Sequence, residues 1–223
     1  GPGIWRAEKV RTQHRWINIR GGTKPFSSQG ANLKSYNDMK KGIYFLLLVF
    51  LISTCGTPYP RILMETEMGE ITLEVYPEKA PVTAGNFLAY VDENRFEGAV
   101  FYRVVRGDNQ PADSIRIAVI QGGLYEDNLP AMLPPIAHET PGQTGILHTN
   151  GVISMARWHP GTATSEFFIC IGDQQELDIQ GKRNPDEQGF AAFGKVLDGM
   201  DVVHKIHRLP VEGQYLEPTV KIL

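Results

Sequence analysis

The sequence has 223 residues, 42% of them hydrophobic and 21% charged, which suffices for one globular domain with a substantial core and some additional sequence. Its formal net charge of −3, from 22 basic and 25 acidic residues, gives no reason to expect a nucleic acid partner. Two cysteines, Cys55 and Cys170, cannot form a disulfide framework, whereas 23 glycines and 15 prolines favour turns and short strands over a helical bundle.

The first apolar segment has the layout of a secretory signal. Lys40 and Lys41 precede an apolar run from Ile43 to Ile52, and small polar residues follow. The run is shorter than a membrane span of about 20 residues. A buried helix is the alternative, but the run has no polar face. We therefore predict a signal peptide over residues 39–55.

The end of this segment, Ile52 to Cys55, resembles a bacterial lipobox, in which the cysteine is lipidated after cleavage. Thr54 departs from the usual Gly, Ala or Ser, so ordinary cleavage near Thr54 with a soluble product stays an alternative. We expect lipidation of Cys55, which tethers the protein to a membrane through acyl chains. The expected location is a bacterial cell envelope, facing the periplasm.

Residues 1–38 show no apolar periodicity. We expect Met39 to be the true start, with residues 1–38 either upstream sequence translated in frame or a disordered arm. Residues 56–61 are predicted to be a linker, and strand patterns begin at Ile62.

The domain is predicted to open with a hairpin and a helix. Ile62 to Tyr76 alternates around a turn at Met68-Gly69, which predicts a β-hairpin. Pro81 suits the first turn of a helix that runs to about Glu93. The apolar residues at helical spacing are Val82, Phe87, Tyr90 and Val91.

Short strands and a second helix follow. The predicted strands are Val100–Val105, Ile117–Gln121, Val152–Ala156, Glu166–Ile171, Ala191–Val196 and Pro218–Leu223. The second helix covers Met200–Ile206, and Leu124 to Gly145 is predicted to be irregular. Many short strands with two isolated helices favour a mostly β fold, a closed antiparallel barrel without exposed edges.

Several fragments resemble the cyclophilin-type peptidyl-prolyl isomerases and stand in that family's order. They are A-P-V-T-A-G-N-F-L, V-F-Y-R-V-V, I-Q-G-G, I-S-M-A, S-E-F-F-I-C, F-A-A-F-G-K-V and G-K-V-L-D-G-M-D-V-V. The likeness covers essentially all of residues 62–223, and ordered agreement among weak fragments argues against coincidence. The resemblance implies an eight-stranded barrel capped by two α-helices, a groove for an extended Xaa-Pro segment, and no metal or organic cofactor.

Prolyl isomerisation breaks no bond. The barrier of about 18–20 kcal/mol comes from the partial double bond, and a fixed cationic donor favours the twisted state, in which the prolyl nitrogen accepts a hydrogen bond. By the resemblance, Arg103 is the catalytic arginine. Gln121 holds the substrate backbone and helps to orient Arg103, and Phe168 is the floor of the proline pocket.

The resemblance also assigns substrate-binding positions. Leu177 matches an aliphatic wall, and Ala156 matches a small residue that lets the substrate backbone approach. Ala118 and Val119 stand where the family usually has Phe-Met, and Phe190 replaces the usual histidine.

Arg103 and Gln121 are farther apart than the motif normally allows, so an insertion lies between them. Because the insertion makes the alignment at Ala118 uncertain, Ile115 or Ile117 is an alternative filler of the proline pocket.

Glu166 matches a second groove glutamine that binds substrate backbone, and we expect it at the wet rim of the groove. A carboxylate lacks the amide's donor and adds a charge near Arg103. It either pairs with Arg103, tethering and partly neutralising it, or selects a cationic substrate residue. Both hypotheses stay open.

The predicted function is a monomeric peptidyl-prolyl isomerase that assists the folding of exported proteins. His204 and His207, three apart on a helix, lack a third ligand, so no metal is expected. One alternative is a binding module or holdase with little turnover. Another is a structural barrel whose groove is blocked by the loop from Gly107 to Arg116.

Overall fold

The computed structural model describes residues 6–7, 59–112, 114–125 and 131–223. Residues Tyr59–Leu223 belong to one compact unit. The predicted signal peptide with Cys55 lies outside the described residues, as does nearly all of the segment 1–38. Among the residues that are described, no helix is long and apolar enough to cross a membrane.

Eight antiparallel strands form the domain, and a two-residue strand, β1 (Arg6–Ala7), pairs with the first of them. The eight are β2 (Arg61–Thr66), β3 (Gly69–Val75), β4 (Val100–Val105), β5 (Val119–Gly123), β6 (Val152–Met155), β7 (Phe167–Cys170), β8 (Ala191–Asp198) and β9 (Tyr215–Lys221). Their order is β1-β2-β3-β8-β6-β7-β5-β4-β9. An isolated bridge between Thr66 and Ile222 brings the two ends of the curled sheet together. The predicted mostly β, eight-stranded fold is confirmed.

Within the described residues, three α-helices accompany the sheet, where the sequence predicted two. They are α1 (Pro81–Asp92), α2 (Pro141–Thr144) and α3 (Met200–His207). The short α2 lies in the stretch predicted to be irregular. Pro141 occupies its first turn, the Thr140 N–H donates to Gln143 Oε1 at 2.8 Å, and Gly145 ends it in the left-handed region at φ 68°.

Helix α1 covers one end of the interior. Glu139 caps its first turn by accepting hydrogen bonds from the N–H groups of Val82 and Thr83, at 3.1 and 2.7 Å. Phe87 and Tyr90 point into the core, as the helical spacing predicts. Val82 does not, since it is 41% exposed.

The interior is an aromatic and aliphatic core in which phenylalanine rings pack against one another. Phe87 contacts Phe193 and Phe96, with ring centroids 4.9 and 5.3 Å apart, and meets Phe167 edge-on. Alternation along β7 sends Phe167 inward and Phe168 to the opposite face, where a second apolar cluster lies.

Strand β5 begins at Val119, two residues later than predicted. The backbone of Ile117 bonds to a side chain and not to a neighbouring strand. Its N–H donates to Gln110 Oε1 at 3.2 Å, and its carbonyl accepts from Gln110 Nε2 at 2.9 Å. A side-chain amide thus replaces the strand ladder at this point.

Candidate active site

The three residues predicted to be catalytic lie on one line across the sheet. Arg103 of β4 pairs with Gln121 of β5, Gln121 pairs with Phe168 of β7, and Phe168 pairs with Ser154 of β6. Side chains of directly paired residues point to the same face of a sheet. Arg103, Gln121 and Phe168 therefore share one face, opposite the interior core.

Two glutamines hold the Arg103 guanidinium. Its Nη1 donates to Gln121 Oε1 at 2.9 Å, while Nε and Nη2 both donate to Gln214 Oε1, at 3.0 and 2.5 Å. A guanidinium has five N–H bonds. Among the described residues these contacts use three, which leaves two for a ligand. No sequence signal singled out Gln214, which lies just before β9.

A chain of hydrogen bonds links Glu166 to this arginine. Gln121 Nε2 donates to the Tyr102 hydroxyl at 2.5 Å, and the Tyr102 hydroxyl in turn bonds to the Glu166 carboxylate. Burial, followed by the Glu166 charge, raises the pKa of Tyr102, which keeps its hydroxyl a donor. Glu166 Oε1 also accepts from the Tyr125 N–H and the Ser165 hydroxyl, both at 3.1 Å. A chain of hydrogen bonds through Tyr102 and Gln121 therefore connects the carboxylate to Arg103.

Gly123 makes room for the Glu166 carboxylate at the end of β5. Its φ of +149° is rarely adopted by other residues, and a Cβ there would lie 2.5 Å from Glu166 Oε1. A side chain at position 123 is therefore incompatible with this carboxylate position.

An apolar cluster beside Arg103 and Gln121 forms the floor of the groove. Its buried members are Val105, Ile117, Val119, Phe168, Cys170 and Leu177, and Ala156 and Phe190 pack against them half-buried. Five predicted pocket residues are thereby brought together: Val119, Phe168, Leu177, Ala156 and Phe190.

Ala118 does not join this cluster. Its N–H donates to Gln174 Oε1 at 3.0 Å and its carbonyl accepts from Ile171, while alternation along the chain turns its side chain away from that of Val119. Of the two alternative fillers, Ile117 lies in the cluster, and Ile115 is 38% exposed outside it.

A buried polar network supports Phe168 from beside it. The His148 ring lies nearly parallel to the Phe168 ring, with centroids 6.0 Å apart. His148 Nδ1 is 2.8 Å from Asp178 Oδ1, and Nε2 is 2.9 Å from Ser154 Oγ. This Ser, His and Asp arrangement resembles a nucleophilic triad, but Ser154 is fully buried, so no substrate reaches its hydroxyl. The three residues instead support the Phe168 ring at the floor of the pocket.

Arg157 supports the Phe190 wall. Its guanidinium lies 5.1 Å from the centroid of the Phe190 ring and forms a two-pronged ion pair with Asp186, at 2.8 and 2.9 Å. The hydrogen bonds from Arg157 lower the pKa of Asp186 to about 2. Phe190 meets Phe168 edge-on at 5.3 Å, so this ion pair helps to fix the pocket's shape.

The remaining histidines show no metal-binding arrangement within the described part of the chain, where no three His, Cys, Asp or Glu side chains gather. His207 Nε2 lies 3.1 Å from the Val105 carbonyl, and burial lowers its pKa. It thus stabilises the end of β4.

Comparison with known proteins agrees with this geometry. The family model described as cyclophilin type peptidyl-prolyl cis-trans isomerase/CLD matches residues 61–223. A peptidyl-prolyl cis-trans isomerase of Acinetobacter baylyi is 37% identical over 175 residues, which cover 77% of this chain and 85% of that protein. Peptidyl-prolyl cis-trans isomerase B of Escherichia coli is 34% identical over 148 residues, covering 65% and 82%.

A solved structure shows the same fold. It is a cyclophilin-type isomerase of Cryptosporidium parvum, crystallised in the presence of the dipeptide Ala-Pro, and it superposes with a TM-score of 0.53 at 19% identity. The superposition covers 73% of this chain and 94% of that one. The family model matches residues 61–223, and several isomerases are 30–37% identical to this chain. The chain therefore belongs to the cyclophilin-type peptidyl-prolyl cis-trans isomerase family.

Proposed function

We propose that the groove defined by Arg103, Gln121 and Phe168 isomerises Xaa-Pro bonds in exported client proteins. Family membership supports the isomerase activity, and the presence of Ala-Pro in the crystals of the Cryptosporidium parvum protein supports the ligand class. The observation that carries the proposal is the guanidinium of Arg103, held by two glutamines at 2.5–3.0 Å beside an apolar cluster.

The catalytic action follows from differential binding. In the planar ground state the prolyl nitrogen shares its lone pair with the carbonyl and is a poor acceptor. On twisting, the lone pair becomes available to a free N–H of Arg103, so this hydrogen bond forms mainly in the transition state. The proline ring packs on Phe168, and the second N–H of the Gln121 amide binds a substrate carbonyl. The reaction involves no proton transfer.

The predicted signal peptide over residues 39–55 supports export, and Cys55 supports a lipid anchor. Intact mass of the product recovered from the membrane and soluble fractions of bacterial cells tests both. A chain that begins at a diacylated Cys55 is the expected result. A mature chain without lipid argues for a soluble exported protein, and an uncleaved chain refutes the signal.

A second candidate function is a proline-peptide binding module with little turnover. The observation favouring it is the link from Glu166 through Tyr102 and Gln121, which brings a negative charge to bear on Arg103. Binding needs only the groove, whereas catalysis also needs the field of Arg103.

A protease-coupled isomerisation assay on the 223-residue chain separates the two. We expect Arg103→Ala to lower kcat/KM by about 100-fold, the effect of removing one transition-state donor. Arg61→Ala, at an exposed position of β2, is the matched control and should leave the rate unchanged. Peptide binding with no turnover in the unaltered chain would favour the binding module.

The Glu166 hypotheses are tested with Glu166→Gln in the same assay. Relief of a partly neutralised Arg103 would raise kcat/KM for all peptides. Loss of selection for a cationic residue would lower kcat/KM only for peptides with Lys or Arg beside the proline.

A further inference from the structure

The segment between β4 and β5, whose described residues 107–112 and 114–116 we call the Gly107–Arg116 loop, is bonded to both halves of the proposed site. Two successive residues make these bonds. The Asn109 carbonyl accepts a hydrogen bond from Gln214, which contacts Arg103. The Gln110 side chain bonds to the backbone of Ile117, which lies in the apolar cluster. Both residues are joined to the site through these partners, so the role argued for them is exerted through Gln214 and Ile117.

Asn109 fixes the amide that holds Arg103. Its side chain closes the turn by accepting from the Arg106 N–H at 2.7 Å and donating to the Val104 carbonyl at 2.9 Å. Its own carbonyl then accepts from Gln214 Nε2 at 3.1 Å. An amide bonded at both its nitrogen and its oxygen has one defined orientation. Gln214 Oε1 is thereby aimed at Arg103.

Gln110 acts on the pocket in a comparable way. Its buried amide bonds to both the N–H and the carbonyl of Ile117, at 3.2 and 2.9 Å, and so holds the Ile117 side chain in the cluster with Phe168. Gln110 Oε1 also accepts from Arg183 Nη1 at 3.1 Å. Arg183 donates to the Ile115 carbonyl as well, at 2.6 Å, and joins the loop to the segment between Leu177 and Phe190.

We infer that the Gly107–Arg116 loop is a positioning element of the active site, in which Asn109 aligns Arg103 through Gln214 and Gln110 shapes the proline pocket through Ile117. This inference rests on the proposed function. It assigns the loop a supporting role in place of the blocking role considered from the sequence. Because the two contacts act on different parts of the site, they affect different kinetic constants.

The first test separates turnover from binding in the full chain. Gln214→Ala and Asn109→Ala should each lower kcat/KM about tenfold, because a misplaced catalytic group loses rate steeply, while the Kd for a fluorescent Ala-Pro peptide stays within twofold. Gln110→Glu keeps the acceptor for Ile117 and loses the donor, so it should weaken peptide binding several-fold. Asp108→Asn, exposed in the same loop, is the matched control.

The second test is a double-mutant cycle. If Gln214 acts only through Arg103, Gln214→Ala should have no further effect on kcat/KM in the Arg103→Ala background. Thermal unfolding of each variant shows whether it is folded at the assay temperature. If Asn109→Ala is unfolded, the test is made with Gln214→Ala.

The outcomes distinguish the positioning role of the loop from the proposed function. Full activity of Gln214→Ala and Asn109→Ala, beside an inactive Arg103→Ala, overturns the positioning role and leaves the proposed function intact. Equal activity of Arg103→Ala and the unaltered chain overturns the proposed function itself. Additive losses in the cycle also contradict the inference, since they would show that Gln214 acts independently of Arg103.

Discussion

The interior core and the outer apolar cluster are built from the same strands but are supported differently. Phe167 and Phe168 are adjacent in sequence and 0% and 4% exposed, yet each belongs to a different cluster. Phe167 packs among other phenylalanines. Phe168 instead lies between the His148 ring and a Phe190 wall held by Arg157. Burial alone therefore does not distinguish the two clusters, whereas the polar groups beside Phe168 and Phe190 do.

The largest expected difference between the clusters is in unfolding free energy. Phe167→Ala should cost about 3–5 kcal/mol, because the closed interior cannot collapse around the cavity. Phe168→Ala should cost less, since water can enter from the groove, and should lower peptide affinity about tenfold in a folded protein. Urea denaturation and peptide titration measure both. Equal stability losses would mean that the groove floor is ordinary core.

A smaller effect is expected from the polar support. His148→Leu should lower the unfolding free energy by about 2–3 kcal/mol, because Ser154 and Asp178 lose their partner in a buried environment. Peptide affinity should fall as well, since Phe168 loses its neighbour. A His148→Leu protein of unchanged stability and affinity would show that the floor needs no polar support.

The smallest effect is a pH dependence at the Phe190 wall. The pKa of Asp186 is about 2, against about 3.9 in an unfolded chain, so its pairing with Arg157 stabilises the fold above pH 4. That contribution is lost as the pH falls toward 2. The Tm difference between the unaltered chain and Asp186→Asn should narrow over this range. A constant difference would show that the ion pair does not titrate.

Local patterns predicted most strands and both long helices closely, because alternation and helical spacing are properties of neighbouring residues. The last strand is an exception, since β9 begins at Tyr215 and not at the predicted Pro218. β4 was predicted with its observed bounds, and α1 and the first hairpin within a residue or two. The start of β5 was missed because Gln110 bonds to Ile117 with a side chain, which leaves no periodic signal. The short α2 was missed because its proline and glycine also favour loops.

The residues that support the site were harder to predict than the residues that line it. Family motifs named Arg103, Gln121 and Phe168, whose roles stay predictions. Gln214 lies 111 positions from Arg103, and Asp178 lies 30 positions from His148. Such contacts follow from the folded path of the chain and not from spacing.

The pairing of Arg103, Gln121 and Phe168 across three adjacent strands sets a fixed length for recognition. Neighbouring strands are about 4.8 Å apart, so the outer two backbones are separated by about 10 Å, which is the length of roughly three extended residues. In the proposed function, we therefore expect the groove to contact the proline and its immediate neighbours and not more distant residues of a client. Accessibility of the prolyl bond, more than a long sequence motif, is then expected to decide which proteins bind.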